Sequence, residues 1–401
     1  MSAATALRCI DCDRAHPLEY LLNCPDCGGL LFVEYDLDRI AGIQFGNLDG
    51  PGIWPYAELL PISDPANFVT LGEGSTPLIA VPRLAAEIGL DNLWIKFDGL
   101  NPTGTVKDRS AVTAVSAALQ FGFDRIGVVS TGNAATSIAA YAARAGIKAL
   151  VLSTESSSRP KVCHVNAITA NFMMYRGGYD DMIGGYDRAI DDRVVFDGGA
   201  SRNPYKQDGK KTLAYEVFEQ MGLQSPDYVV YPVGMGEMLL ASQRGFRELH
   251  AAGHADSVPI PIAAQSSVAD TIVKALNEGG PRVPITIDYT MAEGVAVGDM
   301  GPKGDWVLDD LRAAGGLGAA AMDAEIIEWQ TRLARLEGIW AGPTGCVTLP
   351  ALAKLVRDGK IPTDARVVCN ISETGLKSDI EPPDIAVIDS GGEAVLQFLQ
   401  S

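Results

Sequence analysis

The sequence lacks the features that place a protein in a membrane or on nucleic acid. No apolar run among its 401 residues approaches the roughly 18 residues that span a bilayer. The stretch from Met1 to Arg8 has no basic segment followed by a long apolar one, as a secretory signal would. Basic residues are scarce, with 32 Lys and Arg against 50 Asp and Glu, so the net charge is −18. We therefore expect a cytoplasmic protein with neither a nucleic-acid nor a membrane partner.

Histidine is also rare, and none of the four histidines lies in the polar loops described below. A Ser-His-Asp hydrolase is therefore not favoured. Hydrophobic residues make up 47% of the chain and charged residues 20%, which is typical of a globular protein with a buried core. At roughly 150 residues per domain, the length predicts two or three domains.

Cysteine is present in an odd number, seven, which argues against a disulfide framework. Four of the seven form two CxxC pairs with eleven residues between them: Cys9, Cys12, Cys24 and Cys27. Two such turns facing each other complete a tetrahedral four-sulfur site. We therefore predict a structural Zn²⁺ in a ribbon-like N-terminal lobe. His16 could replace one cysteine, and the alternative is four ordinary reduced thiols.

From about residue 68 onward, short β-rich runs alternate with longer helical patterns. The predicted strands are 93–97, 126–130, 148–152, 228–233 and 366–371. The predicted helices include 134–145, 213–221 and 238–251. This alternation indicates an α/β fold with parallel sheets and helices on both faces. In such folds ligands bind at the carboxyl ends of the strands.

Two strand-to-helix loops carry polar residues suited to binding. The first, residues 101–110, places Lys107 at the start of a helix, where amide donors and the helix dipole disfavour a charged ammonium. A lysine that readily becomes a neutral amine suits a Schiff base, whereas the alternative is a surface lysine. The second loop, residues 130–137, offers hydroxyls, an amide and free N–H groups to a carboxylate or a ring hydroxyl, or it is a well-capped helix start.

Two further loops follow strands. Residues 233–238 contain Gly234 and Gly236, which let the backbone approach an anion while N–H groups converge on it. A phosphate cradle is favoured there over a dinucleotide site, because the third glycine of that fingerprint is missing. The fourth loop, residues 370–378, carries Ser372 and means little in isolation.

In this order the loops resemble the fold-type II pyridoxal 5'-phosphate (PLP) enzymes, and most closely the threonine synthases. The resemblance spans residues 71–377, includes the ribbon-like N-terminus, and is most specific at Gly-Leu-Asn-Pro-Thr-Gly-Thr-Val-Lys-Asp-Arg, residues 99–109. It implies two doubly wound α/β domains with parallel sheets. The expected division is a zinc-ribbon-like lobe at 1–45, a larger PLP-binding domain at 46–95 and 215–401, and a smaller mobile domain at 96–214.

The resemblance also implies roles for individual residues. Lys107 would form the Schiff base with PLP, Asn133 would bond the ring hydroxyl, and Ser372 would face the pyridine nitrogen. The phosphate would be held by the backbone amides of Gly234, Met235, Gly236, Glu237 and Met238. Substrate contacts would come from Ser130, Thr131, Gly132, Ser201, Asn203 and Lys206. The expected substrate is a small activated amino acid, and the expected assembly is a homodimer.

Several residues depart from the threonine synthase pattern near the substrate. Ala134 stands where those enzymes usually have Thr, and Lys206 stands in place of an arginine that grips phosphate with two bonds. Glu237 and Glu373 each replace a glycine, and carboxylates near a phosphate site are costly unless they point away or meet a cation. The residues expected to contact the cofactor remain, so the substrate need not be O-phosphohomoserine. The lysines Lys206, Lys210 and Lys211 either face an anionic substrate or form a solvated basic turn.

Four functions remain open from the sequence. The leading one is a threonine synthase-like elimination and replacement. The second is a β-replacement synthase of the cysteate or cysteine synthase kind, acting on phosphoserine or a related substrate. The third is an NAD(P) oxidoreductase, supported only by the incomplete glycine fingerprint. The fourth is a non-catalytic regulator that retains the fold, with Glu237 and Glu373 as its support.

Overall fold

Three β-sheets organise the protein in the computed structural model, which describes residues 2–130, 132–154, 159–169, 171–176, 179–199, 202–378 and 392–400. None of the helices in these ranges is both long and apolar enough to cross a membrane. The strands are β1 (Ala4–Cys9), β2 (Ala15–His16), β3 (Leu31–Tyr35), β4 (Leu78–Ala80), β5 (Asn92–Phe97), β6 (Arg125–Val129), β7 (Lys148–Thr154), β8 (Phe172–Tyr175), β9 (Phe196–Asp197), β10 (Tyr228–Pro232), β11 (Ile260–Ser266), β12 (Leu317–Ala321) and β13 (Arg366–Ile371).

Helices connect and cover these strands. They are α1 (Leu37–Ala41), α2 (Pro82–Ile88), α3 (Lys107–Gln120), α4 (Asn133–Ala145), α5 (Arg159–Ile168), α6 (Tyr179–Asp191), α7 (Pro204–Asp208), α8 (Thr212–Gln220), α9 (Glu237–Ala251), α10 (Thr271–Glu278), α11 (Pro302–Ala313), α12 (Asp323–Glu337), α13 (Pro343–Cys346), α14 (Thr348–Arg357) and α15 (Gly392–Gln400). Short 3-10 turns lie at Trp54–Leu59, Pro65–Asn67, Asp98–Leu100, Gly209–Lys211, Glu293–Val295 and Gly375–Lys377.

The largest sheet has the strand order β12-β11-β10-β13-β5-β4. All of its pairings are parallel except the antiparallel pairing of β4 with β5 at one edge. The expected parallel sheet is therefore present, with one antiparallel strand added at its edge. A parallel crossover needs a dozen or more residues, and the connection between these two strands, residues 81–91, is shorter.

The second α/β unit contains a parallel sheet with the order β8-β7-β6-β9. The five predicted strands all form, and the predicted helices at 134–145, 213–221 and 238–251 each begin within one residue of α4, α8 and α9. Buried runs of apolar residues with glycine-rich ends were sufficient to locate these elements. The α/β class with two sheet-containing units is thus confirmed.

The N-terminal lobe is a small antiparallel sheet, β2-β1-β3, that touches both α/β units. The ring of Tyr20 stacks on Phe196 of the four-stranded unit with centroids 4.6 Å apart, and its hydroxyl accepts from Asp197 N at 2.9 Å. On the other side, Arg244 of α9 donates to Val33 O at 2.6 Å. The lobe therefore forms a bridge between the two units rather than an independent appendage.

Candidate active site

Lys107 is the first residue of α3, and the segment before it is joined to the loop that follows β13. Val106 N donates to Ser372 O at 2.8 Å, and Thr105 pairs with Glu373 as an isolated antiparallel bridge. Lys107 is partly exposed, whereas Val106 and most of α3 are buried. The first and fourth loops predicted from the sequence are therefore one continuous wall of the site.

A buried ion cluster anchors the start of α3, and the sequence reasoning missed it. Arg109 bonds Asp98 at 2.8 Å and Glu216 at 2.6 Å, and Lys96 bonds Glu216 at 2.6 Å. Burial alone would raise the pKa of Glu216, but the two cations outweigh burial and hold this pKa at about 2. Because Arg109 lies two residues after Lys107, the cluster holds the backbone that presents Lys107. We call the region around Lys107, Asn133, Ser372 and residues 234–238 the cleft.

Asn133 begins α4 and reaches the fourth loop. Its Nδ2 donates to Glu373 Oε2 at 2.5 Å. Its Oδ1 is buried and has no hydrogen-bond partner among the described residues. An orphaned buried acceptor is costly in a native protein, so it marks a place where a ligand group fits. Asn133 is the residue expected to face the ring hydroxyl of PLP, and this atom is compatible with that role.

The third loop has the geometry of an anion cradle at the N-terminus of α9. Gly236 has φ +69°, a conformation that favours glycine. A Cβ at Gly236 would collide with Val307 Cγ2, and a Cβ at Gly234 would collide with Gly294 O. The loop from Gly234 to Met238 therefore requires these glycines, and its amides stand at the positive end of the α9 dipole, where a phosphate fits.

Glu237 does not oppose an anion in the cradle, because it is neutralised by lysines. It bonds Lys210 Nζ at 2.6 Å and Lys303 Nζ at 3.2 Å. Burial alone would raise the pKa of Glu237, but Lys210, Lys303 and then Lys206 hold it well below its usual range. Because Glu237 meets these cations, its carboxylate does not carry the cost expected of an anion near a phosphate site. Lys303 was missed, since it lies in α11, 66 residues along the chain from Glu237.

The lysine cluster after Asn203 is buried, so the alternative of a solvated basic turn is wrong. Burial lowers the pKa of Lys206 to about 8 and that of Lys210 to about 7, although Glu237 opposes both shifts. The charge of Lys107 also contributes to both shifts, which places these groups near the same cleft. Lys211 points elsewhere and bonds Asp208 at 3.3 Å and Glu248 at 3.0 Å.

The remaining predicted residues are placed unequally. Ser372 is buried in the fourth loop. In the second loop, Ser130 Oγ accepts from Gly132 N at 3.2 Å. Asn203 caps α7, accepting from Tyr205 N at 3.1 Å, and it donates to Asp197 O at 2.6 Å. Its substrate role stays a prediction. Two predicted substrate residues lie outside the described residues: Thr131 and Ser201.

The four N-terminal cysteines come together as the CxxC spacing predicts. Their Sγ atoms all lie within 4.8 Å of one another, with Cys9 to Cys27 at 3.4 Å and Cys12 to Cys24 at 3.7 Å. His16 Nε2 lies 3.2 Å from Cys24 Sγ. Four sulfurs at this spacing suit a tetrahedral Zn²⁺, with His16 beside the set rather than needed by it.

Comparison with known proteins agrees with this geometry. A family model described as "Pyridoxal-phosphate dependent enzyme" matches residues 69–373. The chain belongs to the pyridoxal-phosphate-dependent enzyme family. Among its relatives is a threonine synthase of Methanocaldococcus jannaschii, 33% identical over 388 residues and covering 95% of this chain and 94% of that one. A threonine synthase of Methanosarcina acetivorans is 34% identical over 401 residues, 98% of each chain.

Solved structures support the same fold. Maize serine racemase matches with a TM-score of 0.67 at 16% identity, covering 88% of this chain and 98% of that one. The processed form of threonine deaminase isoform 2 from Solanum lycopersicum matches with a TM-score of 0.62 at 16% identity, covering 90% and 93%. The predictions of a fold-type II PLP enzyme and of a threonine synthase-like chain are confirmed, and the nicotinamide oxidoreductase has no support from these relatives.

Proposed function

We propose that the protein catalyses elimination and replacement on a phosphorylated amino acid, most like threonine synthase: O-phosphohomoserine and water give threonine and phosphate. The observation that carries this proposal is a set of contacts that join the predicted loops. Asn133, whose Oδ1 is orphaned, bonds Glu373, which pairs with Thr105 just before Lys107. Buried Lys210 and Lys303 meet Glu237 in the glycine cradle at 234–238. Its threonine synthase relatives cover nearly the whole chain, which supports the same function.

Each group of residues in the cleft has a separate role in the proposed reaction. PLP, when bound, supplies an electron sink that stabilises negative charge at the α-carbon of an amino acid. The amides from Gly234 to Met238 would hold its phosphate, and Asn133 and Ser372 would hold its ring. Lys107 would remove the α-proton of the amino acid. Lys206 and Lys210 place positive charge where a departing phosphate needs it.

We also propose that the four N-terminal cysteines hold a structural Zn²⁺, since their sulfurs fill a tetrahedral site and leave no open position for catalysis. A cytoplasmic location is proposed because none of the seven cysteines, all of which the structure describes, forms a disulfide, and such cysteines persist mainly in reducing compartments. The homodimer is proposed from the family resemblance alone, and its mass in solution by light scattering tests it.

A β-replacement synthase is the second candidate, and one observation favours it. Lys206 Nζ donates to Gly199 O and is buried, so it offers a phosphate leaving group a point charge rather than a two-pronged grip. Such a site binds the phosphate of the longer substrate, O-phosphohomoserine, less tightly than a site with an arginine would.

The experiment supplies holoenzyme with O-phosphohomoserine or O-phosphoserine and measures released phosphate together with the amino-acid product. Equal amounts of phosphate and threonine from O-phosphohomoserine are expected. Turnover of O-phosphoserine only, and only with an added nucleophile, would instead establish the second candidate. Lys107→Ala serves as the inactive control for both substrates.

A further inference from the structure

A further buried lysine, Lys161, lies near Gly132 and is not among the residues predicted to bind cofactor or substrate. Lys161 of α5 has a side chain that is 10% exposed, and its Nζ forms an ion pair with Glu293. Glu293 is 51% exposed and belongs to the short turn Glu293–Val295 of the larger α/β unit, whereas α5 belongs to the smaller one. The pair therefore crosses the cleft.

The location of Lys161 connects it to the loop expected to receive the substrate carboxylate. A Cβ built on Gly132 would lie 3.7 Å from Lys161 Cδ and 3.9 Å from its Nζ. A cavity of about 10 Å³, roughly the size of one water molecule, is lined there by groups that include Ser130, Ser153 and Lys161.

Glu293 connects the pair to the other side of the site. The next residue, Gly294, has its carbonyl oxygen directly against Gly234 of the cradle, so no Cβ fits between them. Gly294 N also donates to Thr344 Oγ1 at 3.1 Å, which fixes the turn. The ion pair thus connects Gly132 on one side with the turn that packs against Gly234 of the cradle on the other.

We propose that Lys161 is a specificity residue that pairs with the α-carboxylate of the amino-acid substrate. In the free enzyme, Glu293 forms an ion pair with Lys161 and competes with the substrate until the substrate displaces it. This inference rests on the proposed function, because it needs an amino acid in the cleft. Ser130 and Gly132 offer only neutral donors, and a cation beside them adds to the compensation for the desolvation of a carboxylate. Half-exposed Glu293 keeps much of its hydration, so its release costs little.

The opposite role is a latch, in which the pair merely holds the two units closed around the substrate. The two roles predict opposite signs when Glu293 loses its charge. Removing a competitor strengthens substrate binding, whereas removing a latch weakens it. The direction of the change in substrate affinity in Glu293→Gln therefore distinguishes a competitor from a latch.

The experiment titrates holoenzyme with L-2-aminobutyrate and with its amide, which lacks the carboxylate, and follows the absorbance of bound PLP. Glu293→Gln is expected to tighten binding of the acid by about two- to fivefold and to leave the amide unchanged. Lys161→Met is expected to weaken binding of the acid about tenfold or more, again without effect on the amide. Asp299→Asn, an exposed carboxylate near the same turn, and Lys148→Met, an exposed lysine of the smaller unit, are the matched controls.

Weaker binding of the acid by Glu293→Gln, or equal effects of Lys161→Met on acid and amide, overturns the inference while leaving the proposed function intact. If the wild-type spectrum responds to neither compound and O-phosphohomoserine is not converted, the proposed function fails and the inference with it. Unchanged PLP affinity of both variants shows that they fold normally.

Discussion

Asn133 donates its amide Nδ2 to Glu373 Oε2 at 2.5 Å, and this bond determines which way the amide faces. The Glu373 oxygen accepts this hydrogen bond, so the NH₂ group of Asn133 faces Glu373. The buried Oδ1 is then left facing a site where a ring hydroxyl is expected. As an acceptor, this oxygen favours a protonated hydroxyl.

Replacement of Glu373 should therefore change the spectrum of bound PLP. In Glu373→Ala the amide of Asn133 is free to rotate and donate to the ring oxygen, which stabilises its ionised form. We expect the longer-wavelength absorption band to gain intensity at the expense of the shorter one. Absorbance spectra of the variant, with Glu278→Ala on an exposed carboxylate as control, provide the measurement. An identical spectrum in Glu373→Ala would contradict the proposed orientation.

Loss of the charge on Glu237 should make the apoenzyme depend more strongly on an anion. In Glu237→Gln the buried lysines Lys210 and Lys303 lose a carboxylate partner. We expect the apoenzyme to be destabilised by about 2–4 kcal/mol and the rise in Tm on adding PLP to exceed that of the wild type. Thermal unfolding with and without PLP tests both effects. A rise in Tm on adding PLP that is no larger than that of the wild type would show that Glu237 does not affect anion binding in the cradle.

Anion binding by the apoenzyme should weaken as pH rises. Burial lowers the pKa of Lys210 to about 7 and that of Lys206 to about 8, so both lose positive charge between pH 6 and 9. We expect the affinity for sulfate, whose own charge is constant in this range, to fall by about tenfold or more. Calorimetric titration at several pH values measures the slope, which should be smaller in Lys210→Met and unchanged in Lys148→Met.

The ion cluster below Lys107 should contribute strongly to stability. Arg109→Met leaves Asp98 and Glu216 buried with fewer cations, and we expect a loss of about 3–5 kcal/mol in the free energy of unfolding. The pKa of Glu216 is lowered from 4.5 to about 2, so its contribution is fully present above pH 4.5 and is lost as pH falls toward 2. Denaturant unfolding at pH 6 and pH 3 measures both effects, and a pH dependence that is identical in Arg109→Met would contradict this role.

Zinc removal should unfold the N-terminal lobe while PLP remains bound. The contacts of the lobe with the rest of the protein include those of Tyr20, Tyr35 and Val33, and none of these three residues is among those predicted to bind PLP. We expect one Zn²⁺ per chain by metal analysis and a lower Tm after chelation. The spectrum of bound PLP should persist, and its loss together with the metal would show that the lobe supports the cofactor directly.

Local sequence determined the order of strands and helices, the positions of the loops and the cysteine site. Strand runs such as 228–233 are uniformly apolar because both faces of a parallel sheet are buried, and glycines such as Gly236 are required by a local backbone conformation. The two CxxC pairs bring their sulfurs together through short-range turns. Even the paired sulfurs of Cys9 and Cys27 are only 18 residues apart in the chain, so pattern and spacing were enough to predict these features.

Tertiary structure alone decided how charge is distributed around the cleft. Glu237 was an obstacle to a phosphate until α7, the following 3-10 turn and α11 brought Lys210 and Lys303 against it. Likewise, Lys161 and Glu293 lie 132 residues apart in the chain, and no local pattern links them. Charged residues that are far apart in the chain come into contact only when separate helices and turns pack together. Their burial then determines which partners they have and in which direction their pKa values shift. The sequence by itself therefore determined the enzyme family, whereas packing decided which charged groups meet around the proposed site.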